Sequence, residues 1–518
     1  MANMNADVIV LGAGHNGLVA ATFLARRGLD VLVLEAKEQV GGAVKTEYPF
    51  TKAPLLGTST GAYLLGVMPP ELMKKIGINL PLLRRDPHYF LPTLDNRYLL
   101  FGSDHEAMKR QFTEFFSADD WKANQMLTTE IAQIRDDMAP SWLEEPMSIE
   151  ATAEKYIRPA LRKVFMDLVT RPVEEYLARF SFKSELLIAM YAVTDGFSGL
   201  NATFGIRGAG FNFLVHNMCR LPGADGTWMM VKGGMGTITQ ELSRVAVQAG
   251  ARILTHSPVA KINLQSGSVR GVTLADGREF KSNVVVSNSD PFTLMNLVGE
   301  DNLPKDFSTK VNAMKRDGST MKVNLALKGL PKFKCLPENR GQFSTTIHLL
   351  PPSQGGMSTL DRIKDGYKKV QAGGLADFPT IEWYIHTEAD ASLRDQKGTH
   401  NSAFFVQWVP YELKGTTWEK EEERYVKQLL QIADQFAPGT SDLVIDTFTL
   451  TPPKIEKHFG ISRGHIHHVD NTFGLDQRMP YATPIAGLFS CSAGCHPAGS
   501  VIGAAGHNSA HKIIKEMF

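Results

Sequence analysis

Cysteine is scarce in this chain: four residues in 518, at Cys219, Cys335, Cys491 and Cys495. So few thiols in so long a protein argue for a reducing compartment and against a disulfide framework. An excess of charge of one sign is also lacking. Lysine and arginine number 55 against 54 acidic residues, a formal charge of +1, so nothing points to nucleic acid as a partner, and there is no acidic tail. No apolar run approaches the roughly 18 residues of a membrane-crossing helix. Met1 to Asp7 lead straight into an apolar segment, with no room for the regions of a secretory signal, so none is expected. Low-complexity tracts and internal repeats are missing too. What remains is an ordinary globular composition, 43% apolar and 21% charged, in a chain too long for one simple core. The expected location is cytoplasmic, or the mitochondrial matrix in a eukaryote, with peripheral membrane contact left open.

What is present is concentrated at the start. Asp7-Val-Ile-Val-Leu-Gly12-Ala-Gly14-His-Asn-Gly17 runs into an Ala-rich segment ending at Gly28, then Val31-Leu-Val-Leu-Glu35. This reads as a buried parallel strand, a glycine turn, a helix and a second strand tipped by a carboxylate. Gly12 makes the turn, Gly14 admits a pyrophosphate to the backbone, and Gly17 lets the helix pack closely on the strand. Glu35 stands where a carboxylate accepts from a ribose diol. A second diglycine, Gly41-Gly42, is an extension typical of FAD-binding folds of the glutathione-reductase type. FAD is therefore the expected cofactor.

Further along, residues 61–83 are apolar, interrupted by Pro69, Pro70 and Pro81. Lys74 and Lys75 beside Leu72, Met73 and Ile76 admit two readings: a membrane-surface patch, or a packed helix with snorkelling lysines. His88 to Phe101 alternates like a hairpin turning at Asp95-Asn96. From Ser103 to about Ala192 the periodicity is helical, with breaks at Pro140 and Pro146. Residues 194–222 interleave glycines with Phe197, Phe204, Phe211 and Phe213, which either line an apolar channel or fill the core. Lys232-Gly-Gly-Met-Gly236 opens a helix. Strands are expected at 252–254, 259–263, 269–274 and 284–290, then at 322–327, 381–386 and 403–408. Trp418 to Phe436 reads as a helix with a solvated charged face. Near the end, Gly487 to Ala510 reads as strand, glycine loop and helix, with the helix N-terminus directed at the pyrimidine end of a flavin.

Four blocks carry a resemblance: Gly12-Ala-Gly14-His-Asn-Gly17 with Gly41-Gly42-Ala43; Gly226-Thr-Trp228 with Gly233-Gly-Met-Gly236; Val285-Val-Ser-Asn-Ser-Asp-Pro291; and Leu475-Asp-Gln477 through Tyr481-Ala-Thr-Pro to His496-Pro. Together they resemble the phytoene-desaturase-like flavoproteins, in the branch of pyridine nucleotide-disulfide oxidoreductase domain-containing protein two. The resemblance implies an α/β fold. An FAD-binding Rossmann-like domain would be built from three separated segments (1–70, 223–298, 459–518). An α+β substrate domain would come from the two between, 71–222 with a helical insertion and 299–458 with a sheet. It places Gly12, Ala13, Gly14, Asn16, Gly17, Glu35, Ala36, Gly41, Gly42 and Ala43 on the adenosine and pyrophosphate, and the Val259 backbone on the adenine. Gly494, Ser500, Val501 and Ile502 fall beside the flavin. The chain departs from relatives at Ala498-Gly-Ser500-Val501, where a further glycine is usual, and at Ala43, where many members carry Arg.

The branch name invites a disulfide reductase, but such enzymes need a redox Cys pair beside the flavin and a second dinucleotide fold. No second strand-GxGxxG-helix exists, and Cys491 on its apolar strand reads as core. His465, His467 and His468 lack carboxylate or Cys partners at ligand spacing, so no metal is expected and they read as solvated or packed. His496, in the loop beside the flavin, is the catalytic candidate, either as acid/base or merely bonded to backbone. Asp476, Gln477 and Glu382 are weaker candidates. The expected function is an FAD-dependent oxidoreductase, a desaturase or dehydrogenase passing hydride from an apolar isoprenoid- or lipid-like substrate to the flavin. The electron acceptor and oligomeric state are open. The alternatives are a non-redox flavoprotein (isomerase or hydratase) and a flavin-bearing scaffold that acts through protein partners.

Overall fold

The computed structural model describes residues 5–224 and 226–518. Its first element is the strand β1, Val8–Leu11, followed by helix α1, His15–Arg26, and strand β2, Val31–Leu34. Both strands are wholly apolar and wholly buried, as strands covered on both faces must be. They form the middle of a five-stranded sheet whose order is Leu488–Ser490, Val285–Ser287, β1, β2, Arg252–Leu254. Every pairing is parallel, with Ile9 opposite Val285 and Leu32 opposite Arg252. Strands from the beginning, middle and end of the chain thus share one sheet. A three-stranded antiparallel meander, 259–265, 268–274 and 279–281, lies between its contributions in sequence.

The second sheet has seven strands in the order Val444–Leu450, Thr320–Leu327, His400–Gln407, Thr380–Tyr384, Thr346–Leu349, Tyr89–Pro92, Tyr98–Phe101. The last two strands are the expected hairpin. The pleat sorts the side chains. Met321, Val323, Leu325, Ile381, Trp383, Phe404 and Val406 point one way, into a core shared with the apolar stripe of the helix Trp418–Phe436. Lys322, Glu382, Tyr384 and Phe405 point the other way, into a cavity.

Between the strands 98–101 and 230–231 the chain is a run of helices, among them His105–Phe115, Ala118–Met138, Arg162–Thr170 and Glu185–Tyr191. Phe197, Phe204, Phe211 and Phe213 are buried in the core of this region and do not face the cavity, which settles the two readings of the glycine-rich stretch. Leu72, Met73 and Ile76, on the helix Pro70–Ile76, are likewise buried against α1 and its sheet, leaving Glu71, Lys74 and Lys75 exposed. The amphipathic-surface reading of that helix is therefore corrected: its apolar face is already covered. Among the described residues no helix is long and apolar enough to cross a membrane.

Candidate functional site

The parallel sheet directs the carboxyl ends of its strands at a cavity of about 450 Å³, the usual ligand position in open α/β sheets. Gly12 and Gly14 follow β1, Glu35 and Ala36 follow β2, and Asn288 and Ser289 follow Val285–Ser287; all line it. Gly41, Gly42, Ala43, Ser257 and Val259 complete this end. α1 opens with Gly14 in extended conformation as its N-cap, without a side-chain cap and without an acidic residue in its first turn. Its N-terminal amides are left for an anionic ligand. Gly17 is dictated by packing, because a Cβ there would stand 2.2 Å from the Gly12 carbonyl oxygen. Gly41 combines a φ of +127° with a backbone N–H donated to the Ala13 carbonyl at 2.9 Å, tying the second diglycine to the first turn. Glu35 accepts from the Ala13 N–H at 2.8 Å and the Lys37 N–H at 2.9 Å. A carboxylate has further lone-pair positions, so acceptor capacity remains.

The far end of the same cavity is built by the seven-stranded sheet and the helices. His348, Glu382, Phe405 and Lys322 are successive partners across four neighbouring strands, so they form one transverse row. Glu382 accepts from the Ser198 hydroxyl at 2.8 Å and from the Tyr384 hydroxyl, and its Oε1 lies 3.8 Å from His348 Nε2. His348 Nδ1 is bonded to the Tyr89 hydroxyl at 2.9 Å and the Thr194 hydroxyl at 3.0 Å. Burial works to raise the Glu382 pKa, but His348, Tyr384 and Ser198 outweigh it and hold the carboxyl below its ordinary value. Lys322 is pushed down to about 7 by burial, with Glu382 opposing. Asp195, on the π-helical turn Ala192–Gly196, is pushed up to about 7 by burial, against the Asn217 side chain and with Glu382 adding to the rise. His216, whose Nδ1 is 4.0 Å from Asp195, is lowered to about 4 by burial and stays neutral.

Comparison with known proteins gives this arrangement its kin. Residues 17–349 match the family described as flavin containing amine oxidoreductase. The chain belongs to that family. It is 31% identical to mouse pyridine nucleotide-disulfide oxidoreductase domain-containing protein 2, over 99% of this chain and 94% of that protein. It is 29% identical to hydroxyneurosporene desaturase of Cereibacter sphaeroides over 56% of this chain and 57% of that one. Among solved structures, an oxidoreductase from Methanosarcina mazei superposes with a TM-score of 0.62 at 16% identity, covering 98% of this chain and all 100% of that one. The protein is an FAD-dependent oxidoreductase with phytoene-desaturase-like relatives, on an α/β fold of amine-oxidase type.

The cavity fits the cofactor of this family. His15 Nε2 and Asn16 Oδ1 are buried polar atoms without a protein partner, and both residues line the cavity at the α1 N-terminus. Buried polar atoms are rarely left so unless a ligand completes them. Of the residues expected on the cofactor, Gly12, Gly14, Asn16, Glu35, Ala36, Gly41, Gly42, Ala43, Val259, Ser500 and Val501 line the cavity. Ala13, Gly17, Gly494 and Ile502 sit behind it.

His496 does not line the cavity. Its Nε2 bonds to the Ser141 carbonyl at 3.1 Å, the ring is 2% exposed, and burial lowers it to about 4. Of the two readings of His496, this bond supports the one in which the ring holds its loop, while its Nδ1 is buried without a protein partner. Asp476 and Gln477 are exposed and remote. His465 is not solvated but buried, paired with Asp470 at 3.1 Å, while His467 and His468 line the cavity. Cys491 and Cys495 are free and buried, burial raises both thiols, and neither reaches the cavity. Lys322, Asp195, Ser198, His216 and Phe405 were not singled out by the sequence reading. For Lys322 a signal existed: it is the one charged residue, at an alternating position, in the strand Thr320–Leu327.

Proposed function

We propose that this FAD-dependent oxidoreductase is a dehydrogenase of the desaturase kind, removing two hydrogens across a carbon–carbon bond of a largely apolar substrate. The observation that carries the proposal is the continuity of one cavity from the dinucleotide loops at Gly12, Glu35 and Gly42 to the row containing Glu382, Phe405 and Lys322. The FAD-binding unit is read as three segments, 1–70, 223–298 and 459–518, with the stretches between them forming the substrate side. Bound FAD supplies the hydride acceptor. The chain's own residues do the rest. The α1 amides and Glu35 hold the adenosine half. Trp228, Phe405, Leu64 and Ile466 wall the far end and exclude water. Lys322 and Asp195, both poised near neutrality, hold and move protons there.

The absence of a second dinucleotide motif supports a reaction that takes electrons from a substrate rather than from a pyridine nucleotide. The test is anaerobic mixing of the yellow protein with a panel of isoprenoid, fatty-acyl and cyclic alkane derivatives. Flavin bleaching matched by a product two hydrogens lighter supports the proposal. A product of unchanged mass would replace it with the non-redox alternative.

A further inference from the structure

Lys322 sets a cationic side chain in the cavity wall. The residue is 4% exposed, and its Nζ lies 4.0 Å from the Tyr63 ring centroid and 4.4 Å from that of Phe405. Among the described residues it donates no hydrogen bond and makes no ion pair. The row explains why. Phe405 stands between Lys322 and Glu382, so the two charged residues start on strands two apart, about 10 Å at the backbone. Glu382 spends its oxygens on Ser198 and Tyr384. The aromatic faces stabilise the positive head without occupying its N–H groups. A buried donor facing an aromatic-walled cavity calls for an acceptor on the ligand.

Charge selects the acceptor. Glu382 is held ionised two strands along the row, and the Asp195 carboxyl faces the same cavity. A ligand carboxylate would bring another anion among them, whereas a neutral carbonyl oxygen accepts from Nζ without that repulsion.

We infer that Lys322 Nζ anchors a neutral carbonyl oxygen of the substrate, and that the carbon–carbon bond to be dehydrogenated lies beside that carbonyl. This rests on the dehydrogenase reading and narrows its substrate class to apolar ketones, enones or esters. Donation from Nζ draws electron density onto the oxygen and acidifies the adjacent C–H. That C–H bond breaks, its electron pair is delocalised into an enolate whose oxygen stays on Nζ, and the proton passes to a carboxylate oxygen of Asp195. A carboxyl raised toward neutrality by burial is suited to take it.

The experiment uses the FAD-loaded protein and the push–pull enone dimethylaminobenzylideneacetone, whose absorption band moves to the red when its carbonyl accepts a strong hydrogen bond. The wild-type protein is expected to bind it with a red-shifted band. The K322M variant should bind about tenfold more weakly or worse, with no shift, as loss of one charge-assisted hydrogen bond requires. The carboxylate analogue dimethylaminocinnamate should bind the wild type about tenfold more weakly than the enone, and should gain about tenfold on E382Q. In deuterated buffer the wild type should exchange the probe's methyl-ketone protons, and D195N should bind the probe but lose the exchange.

Absence of enone binding by the wild type, equal affinity and colour in K322M, or preference for the carboxylate each overturns the anchor. Undiminished exchange in D195N overturns the assignment of the base. If K322M does not fold, equal binding of dimethylaminocinnamate by the wild type and E382Q still overturns the charge argument. An anchored enone with no substrate ever losing two hydrogens would leave this inference standing and sink the dehydrogenase reading instead.

Discussion

Gly506 rests directly on the backbone of Asn16: a Cβ at Gly506 would stand 2.1 Å from the Asn16 carbonyl oxygen. The contact joins α1, whose first residues His15 and Asn16 line the cavity, to the last helix, Ala504–Met517, which follows the lining residues Ser500 and Val501. Gly506→Ala must push them apart, because the oxygen it meets is backbone and has no rotamer to change. Overpacking of this kind costs about 1–3 kcal/mol. The expected outcome is a lower melting temperature together with reduced FAD content of the purified protein. A variant that melts with the wild type and retains full flavin would show that the helices do not need this approach.

Glu35 holds the first turn through the Ala13 and Lys37 amides, and in the proposed reading the same carboxylate also holds the cofactor. Glu35→Gln turns one acceptor into a donor and sets an NH₂ group against a backbone N–H. Losing a charge-assisted acceptor should weaken FAD binding by about tenfold to a hundredfold. Fluorescence titration of the apoprotein with FAD measures this directly. An unchanged affinity would mean that Glu35 serves only the local turn.

The first βαβ unit was legible because all of its information is local. Val8–Leu11 and Val31–Leu34 are unbroken apolar runs, and the glycines between them sit at the spacing the turn and helix contact require. The hairpin at 89–101 and the helix Trp418–Phe436 were legible for the same reason, since a period of two or 3.6 is written along the chain. The row of His348, Glu382, Phe405 and Lys322 was not, because it exists only through the pairing of strands far apart in sequence. Each member looks ordinary alone. Phe197 and Phe211 show a different limit: aromatics among glycines left a channel and a core both open, because composition does not separate a lining from a core, and the structure puts them in the core. His496 was attractive because its loop was expected to border the flavin, yet its ring bonds to the Ser141 carbonyl.

That orientation makes a distinct prediction for His496. A ring bonded to a backbone carbonyl and kept neutral by burial contributes to stability rather than proton transfer. His496→Ala should lower stability by about 1–3 kcal/mol, the cost of leaving the Ser141 carbonyl unpaired and a small void behind. The rate of flavin reduction, measured below the melting transition, should change by less than about threefold. A loss of a hundredfold or more in that rate, with stability intact, would restore His496 to the chemistry.

Asp195 offers a prediction in which the sign is diagnostic. Its carboxyl is raised from an ordinary 3.8 to about 7, with burial the main cause. A raised carboxyl binds its proton more tightly in the folded state than in the unfolded chain. The folded protein is therefore not penalised below about pH 4, loses stability as pH rises from there to 7, and carries the full penalty above 7. At 1.36 kcal/mol per pH unit, that penalty is about 4 kcal/mol as an upper bound. Asp195→Asn removes the charge while keeping the shape. It should melt above the wild type at pH 8, and the difference should shrink steadily as the pH is lowered toward 4. Denaturant melts at several pH values, with the flavin removed so that binding does not contribute, read this dependence. A constant offset across the range would mean that Asp195 ionises at the ordinary carboxylate value and that burial does not raise it.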